Sequence, residues 1–164
     1  MKKLLFVIAM IISVSSFAQI KSVSLTASGL TCSMCSKAIY KSLTKIPDIQ
    51  DIDVDIKNSS YRITFREGKN VSLDAIRKAV ENAGFSVASL KVTANFTKTA
   101  VGPDSPISLQ GGTYLFVRTP RQTIEGTQTF TVVDKNYLPA NEHKKYAKEI
   151  AMQTSKENVY HVIL

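Results

Sequence analysis

KSVSLTASGLTCSMCSKAIYKSLTKI, residues 21–46, changes its period partway along. Val23, Leu25 and Ala27 fall on one side of an extended chain, and Ser22, Ser24 and Thr26 on the other. A period of two predicts a half-buried strand. Gly29 breaks it. From Ser33 the spacing turns helical: Met34, Ala38 and Leu43, with Ile39 and Ile46, lie on adjoining faces. Lys37, Lys41 and Lys45 line a polar face at spacing four. Pro47-Asp48 ends the predicted helix. The change of period falls across Gly29-Leu30-Thr31-Cys32-Ser33-Met34-Cys35, which holds the only two cysteines of the chain. The sequence thus puts a Cys-x-x-Cys pair in a strand-to-helix loop, with Cys35 in the first helical turn.

Downstream the same two periods complete a unit. Ile52, Val54 and Ile56 alternate with Asp51, Asp53 and Asp55, predicting a second strand. Asn58-Ser59-Ser60 is a hairpin turn, and Tyr61, Ile63 and Phe65 carry a third strand. Ser72 is an N-cap candidate for a second helix, Leu73 to Asn82, with Leu73, Ile76, Val80 and Ala83 as its apolar stripe. Gly84 stands in the usual helix-stop position. A fourth strand follows from Phe85 to Val92. The order strand, helix, strand, strand, helix, strand is the split βαβ pattern of an α+β, ferredoxin-like fold. It predicts a first domain at residues 19–95.

After Phe96 the composition shifts toward Thr, Gly, Pro and aromatics. Gly102 to Pro106 is a turn or linker. Ile107–Leu109 and Thr113–Arg118 form a predicted hairpin, Thr127–Val133 a strand, Ala140–Met152 a helix with Tyr146, Ile150 and Met152 inward, and Val159–Leu164 a last strand. Residues 96–164 are therefore expected to form a second, small β-rich domain, with an OB-like barrel as the candidate architecture.

Residues 1–18 have the form of a secretory signal: Met1-Lys2-Lys3, an apolar run from Leu4 to Ile12, and Ser16-Phe17-Ala18 at a cleavage site. The apolar run is too short to span a bilayer, and no later one is long enough. Export, most simply to a periplasm, is expected, with a mature chain starting near Gln19. Loss of Lys2 and Lys3 lowers the net charge from +8 to +6. That charge is spread out, and no basic run of the kind that grips nucleic acid is present. Asn58, Asn70 and Asn95 each start an N-glycosylation triplet, which carries no meaning behind a bacterial signal.

A two-residue gap closes too small a loop for a disulfide to brace the chain much. The pair is better suited to chemistry. A helix N-terminus favours thiolate over thiol. Soft thiolates select Cu(I), Hg(II) or Zn(II). Two sulfurs complete a near-linear Cu(I) or Hg(II), whereas tetrahedral Zn(II) needs four ligands, which a metal-bridged dimer would supply. A thioredoxin-like redox role for Cys32 and Cys35 is the enzymatic alternative, though the strand order differs and the aromatic, Gly and Pro residues usual around that motif are absent.

With these residues in place, residues 21–92 resemble the heavy-metal-associated domain of copper chaperones, copper-exporting ATPases and the periplasmic mercury-binding protein. The family motif G-M-T-C-x-x-C reads here with Leu30 in place of Met. The resemblance implies that Cys32 and Cys35 bind the metal and that Thr31 and Ser33 shape the loop. It further implies that Leu30 is a buried non-ligand and that Phe85, in Ala83-Gly84-Phe85, packs beside the loop, where copper chaperones carry Lys or Tyr. The expected function is a non-enzymatic Cu(I) metallochaperone, with Hg(II) scavenging as an alternative. The expected partner is a metal-receiving transporter or cuproenzyme, and Lys37 and Lys41 are placed to steer an acidic surface. Met34 is a space-filling side chain, with a thioether-ligand role as its alternative. His143 and His161 read as surface or packing residues, because neither has a second ligand at metal spacing. Asp51, Asp53 and Asp55 read as an ordinary exposed strand face.

Overall fold

The computed structural model describes residues 19–30, 33–103, 105–153 and 158–164. The alternation that starts at Lys21 becomes β1 (Gln19–Ser28), and the helical spacing after it becomes α1 (Ser33–Leu43). The helix stops short of Pro47, and Thr44 Oγ1 donates to the Lys41 carbonyl at 3.0 Å where the ladder ends. β2 (Ile49–Asp55) and β3 (Ser60–Phe65) follow as the predicted hairpin. α2 (Leu73–Asn82) starts at the predicted cap, where Ser72 Oγ accepts from the Ala75 N–H at 3.1 Å. It ends before Gly84, whose φ of 88° only glycine adopts without strain.

These elements and β4 (Ser86–Val101) form the expected ferredoxin-like unit, with strands in the antiparallel order β2-β3-β1-β4. Val23, Leu25, Ile39, Leu43, Ile63, Leu73, Ile76 and Leu90 are fully buried between sheet and helices.

The C-terminal half departs from expectation. β4 does not end near Val92 but runs on from Ser86 to Val101. Val92, Ala94 and Phe96 continue its buried side past the expected boundary at 95/96. Its far side pairs with β7 (Gln122–Val132) from Lys91 to Val101, and an irregularity between Phe96 and Thr99 shifts the phase. β5 (Ile107–Leu109) and β6 (Gly112–Phe116) make the predicted hairpin, and β8 (Val159–Ile163) joins β6 in parallel and β7 antiparallel. The described strands thus form one sheet, β2-β3-β1-β4-β7-β8-β6-β5, rather than a sheet and a separate OB-like barrel. One apolar core runs through both halves, with Phe130 packed against Phe96, Tyr114 and Phe116 at ring distances of 6.3, 5.3 and 5.7 Å.

The predicted helix over 140–152 is two short ones, α3 (Ala140–His143) and α4 (Ala147–Ala151). Arg118 stands at the break. Its guanidinium donates to the Lys145 carbonyl, pairs with Glu149 at 2.8 Å and lies 5.0 Å from the centre of the Tyr146 ring. Met152 faces outward, 75% exposed.

Two joints tie the halves together on the helix side. At the first, Asp74 in the opening turn of α2 accepts from the Tyr137 hydroxyl at 2.9 Å and the Tyr160 hydroxyl at 3.1 Å, and pairs with Arg77 at 3.1 Å. Arg77 also holds Glu81 at 2.7 Å. Burial pushes the Tyr160 phenol up to about 12, with the Asp74 charge adding to it, so the ring stays a donor at neutral pH. At the second, Gln110 accepts from the Ile20 N–H at 2.9 Å through its side chain and from the Val71 N–H at 3.3 Å through its carbonyl. Among the described residues no helix is long and apolar enough to cross a membrane.

Candidate metal centre

β1 delivers the chain to Gly29, where a φ of 82° turns it out of the sheet. Ser28 and Ser86 close the base of this turn: the Ser28 hydroxyl bonds to the Ser86 hydroxyl and lies 3.3 Å from the Ser86 carbonyl. Leu30 is half-buried against the core. Phe85 packs beside the loop, its ring 4.0 Å from where a Cβ on Gly29 would stand. Thr31 and Cys32 lie outside the described residues, so the first of the two expected ligands has no placement here.

The chain is next described at Ser33, the first residue of α1. Ser33 is exposed, Met34 is 74% exposed, and Cys35 is half-buried. Cys35 therefore sits in the first helical turn, as expected, where unpaired backbone N–H groups favour a thiolate. No acidic residue stands in that turn to oppose this. Lys37 and Lys41 are exposed further along the helix.

A partner of this turn that the period analysis treated only as strand core is Tyr61 on β3. It is fully buried, with its hydroxyl 2.8 Å from Ser36 Oγ and 3.3 Å from the Ser36 carbonyl, to which it donates. Burial pushes the Tyr61 phenol up, the Ser36 contact opposes this, and negative charge on Cys35 pushes it further up. A Tyr at a core strand position opposite a Ser in the facing helix is the sequence signal, since a buried hydroxyl needs a partner.

The remaining candidates lie elsewhere. His161 is 2% exposed, and Asp134 holds both its Nδ1 and its backbone N–H at 2.6 Å, while Nε2 is buried without a hydrogen-bond partner. His143 Nδ1 donates to the Val133 carbonyl at 2.9 Å. Both histidines pack within the C-terminal half. Asp51, Asp53 and Asp55 are exposed along β2. Among the described residues no three His, Cys, Asp or Glu side chains gather at metal-binding distance.

Part of the chain is similar to known proteins. The model of the "Heavy-metal-associated domain" matches residues 24–86. The "Mercuric transport protein periplasmic component" of Pseudomonas fluorescens is 33% identical over 86 residues, covering 52% of this chain and 93% of that protein. A "Probable copper-transporting ATPase" of Arabidopsis thaliana is 33% identical over 67 residues, covering 41% of this chain but only 7% of the ATPase. Among solved structures, oxidised MerP from Ralstonia metallidurans is 30% identical, covering 42% of this chain and 96% of that one, with a TM-score of 0.37. Over residues 24–86, from within β1 to the first residue of β4, the chain belongs to the heavy-metal-associated domain family.

Proposed function

We propose that this protein carries one soft metal ion between Cys32 and Cys35 and gives it up to a partner by thiolate exchange. The observation that carries this reading is the place of Cys35: half-buried in the first turn of α1, directly after the loop that leaves β1. Cys32, three residues earlier, supplies the second sulfur in the proposal. Cu(I) is the proposed cargo, because two thiolates complete its near-linear coordination and leave room for an incoming third sulfur. In the exchange, a first partner thiolate bonds to the ion to give a three-sulfur state and one of the Cys32 and Cys35 bonds breaks. A second partner thiolate then bonds and the remaining bond breaks, so the ion leaves with two sulfurs and both cysteines are left as thiolates. No electron moves. Lys37 and Lys41 favour an acidic partner, such as a transporter or a metal-dependent enzyme.

The mercuric relative, matched over 93% of its length, favours a second reading in which Hg(II) is the cargo. Phe85 beside the loop brings no hydrogen-bond donor to the sulfurs and serves either ion. The proposed setting is outside the cytoplasm, after removal of residues 1–18. There the pair must be kept reduced, by bound metal or by a reductant.

Anaerobic titration of the reduced chain from Gln19 with Cu(I), against a colorimetric chelator, tests the proposal. One equivalent bound, and lost in both Cys32→Ser and Cys35→Ser, is expected. Competition by Hg(II) alone would transfer the assignment to mercury. Failure to hold either ion would refute the proposal.

A further inference from the structure

A cleft of about 510 Å³ lies between the ferredoxin-like unit and the segment that follows β7. One wall is the end of β1 and the start of β4, with Ser28, Ser86 and Val87. Ser28 immediately precedes Gly29, the start of the metal loop, and Ser86 immediately follows Phe85, whose ring packs beside Gly29, so this wall adjoins the β1 end of that loop. The other wall comes from residues 135–144, a part of the chain beyond the matched family region.

The lining has a definite character. Leu138, Pro139 and Val87 give it an apolar side. Lys135 and Lys144 stand on its rim, both exposed, and neither enters an ion pair among the described residues. Glu81, the carboxylate of the lining, is occupied, with both oxygens 2.7 Å from Arg77 Nη1. The cleft therefore presents two uncompensated positive charges over an apolar surface. His143 adds a fixed feature. A carbonyl oxygen only accepts, so the contact with Val133 puts the ring hydrogen on Nδ1, and the neutral ring keeps an acceptor at Nε2.

We infer that this cleft docks an acidic segment of the protein that exchanges metal with Cys32 and Cys35, an apolar side chain lodging against Leu138 and carboxylates meeting Lys135 and Lys144. The inference rests on the metal-exchange reading. Charge complementarity selects an acidic partner, and adjacency to the loop selects the exchange partner over an unrelated one. The rim offers apolar depth as well as charge.

The test uses the metal-free, ¹⁵N-labelled chain from Gln19 and a blocked peptide, Asp-Leu-Glu-Leu-Asp, with Asn-Leu-Gln-Leu-Asn as its control. Saturable amide shifts are expected at Ser28, Val87, Leu138 and Ala140, with none from the uncharged peptide. Lys135→Glu with Lys144→Glu is expected to weaken binding by about tenfold or more. Both lysines are exposed, and an unchanged circular dichroism spectrum verifies the fold. Absence of binding overturns the inference. So do shifts confined to the groove between α1 and α2, where Lys41, Lys45 and Lys78 gather. Because the protein is metal-free, this outcome is independent of the Cu(I) titration. Docking without metal binding would retire the carrier reading, and metal binding without docking would retire the cleft.

Discussion

Asp74→Ala should weaken the whole molecule, because one carboxylate serves both halves. It removes the acceptor for the Tyr137 and Tyr160 hydroxyls and one of the two ion-pair partners of Arg77 among the described residues. A hydrogen bond to a charged acceptor contributes about 1.5–3 kcal/mol. The Asp74 side chain is 39% exposed, so water replaces part of what is lost. Arg77 keeps Glu81, and the i,i+3 pair itself adds only a few tenths, about 0.2–0.5 kcal/mol. The net expectation is a loss of about 2–4 kcal/mol, or roughly 5–12 °C in Tm for a domain of this size. Urea and thermal unfolding followed by circular dichroism, and by tyrosine emission in this tryptophan-free chain, measure it. Tyr137→Phe and Tyr160→Phe should each lose about 1–2 kcal/mol, one bond to a charged acceptor with the same discount for exposure. The pH dependence has a fixed sign. Burial pushes the Asp74 carboxyl up, but bonds from Tyr137, Arg77 and Tyr160 outweigh it and hold the group below its usual value. Its contribution is complete above the unfolded value of about 3.9 and is lost as pH falls through the lower folded value. The gap between parent and variant should therefore narrow in acid. A loss under about 0.5 kcal/mol, within the range of an ordinary surface change, would refute the reasoning. So would two separate transitions, with the N-terminal unit melting as in the parent.

Tyr61→Phe leaves the Ser36 hydroxyl buried without its 2.8 Å partner and should cost about 1–3 kcal/mol. The same unfolding assay checks it, and an unaffected Cu(I) stoichiometry would show that the phenol supports the loop without holding the ion. Gly111→Ala places a Cβ 2.6 Å from the Val71 carbonyl oxygen at a φ of 85°, so a loss of about 1–3 kcal/mol is expected in urea melts. Removal of residues 97–164 takes away the partners of Phe96 and exposes the buried side of β4, so the remaining unit should show a lower Tm and bind a hydrophobic dye. A truncated unit as stable as the parent would count against the shared core.

The first half was legible because each of its elements keeps one period to its end. Val23 to Ala27, Ile52 to Ile56 and Leu73 to Val80 announce their own faces, and Gly29, Ser72 and Gly84 mark the ends by local chemistry. The second half hid its plan in contacts between distant residues. The irregularity between Phe96 and Thr99 interrupts the alternation of β4, and Gly102-Pro103 then reads as a boundary. The parallel pairing of β6 with β8 joins residues some 45 positions apart, from Thr113 to Val159, and no local pattern reports it. The break between α3 and α4 comes from Arg118, more than 20 residues upstream. At the site, spacing alone located Cys35 at the helix start. The hydroxyl pair of Ser36 and Tyr61, like the clamp on Asp74, depends on which strand faces which helix.

The place of β4 in the sheet bears on how the protein keeps to itself. In the ferredoxin-like unit alone, β4 would be an outermost strand, a long row of unpaired N–H and C=O groups open to any other strand. Here β7 occupies that row, and the open margin moves out to β5, which is only three residues long. The opposite margin is β2, where Asp51, Asp53 and Asp55 put three like charges along the exposed strand. A second copy approaching β2 in register would bring carboxylate against carboxylate, and one approaching β5 would find almost nothing to pair with. The C-terminal half thus guards against strand-to-strand aggregation, whatever else it does for the metal loop.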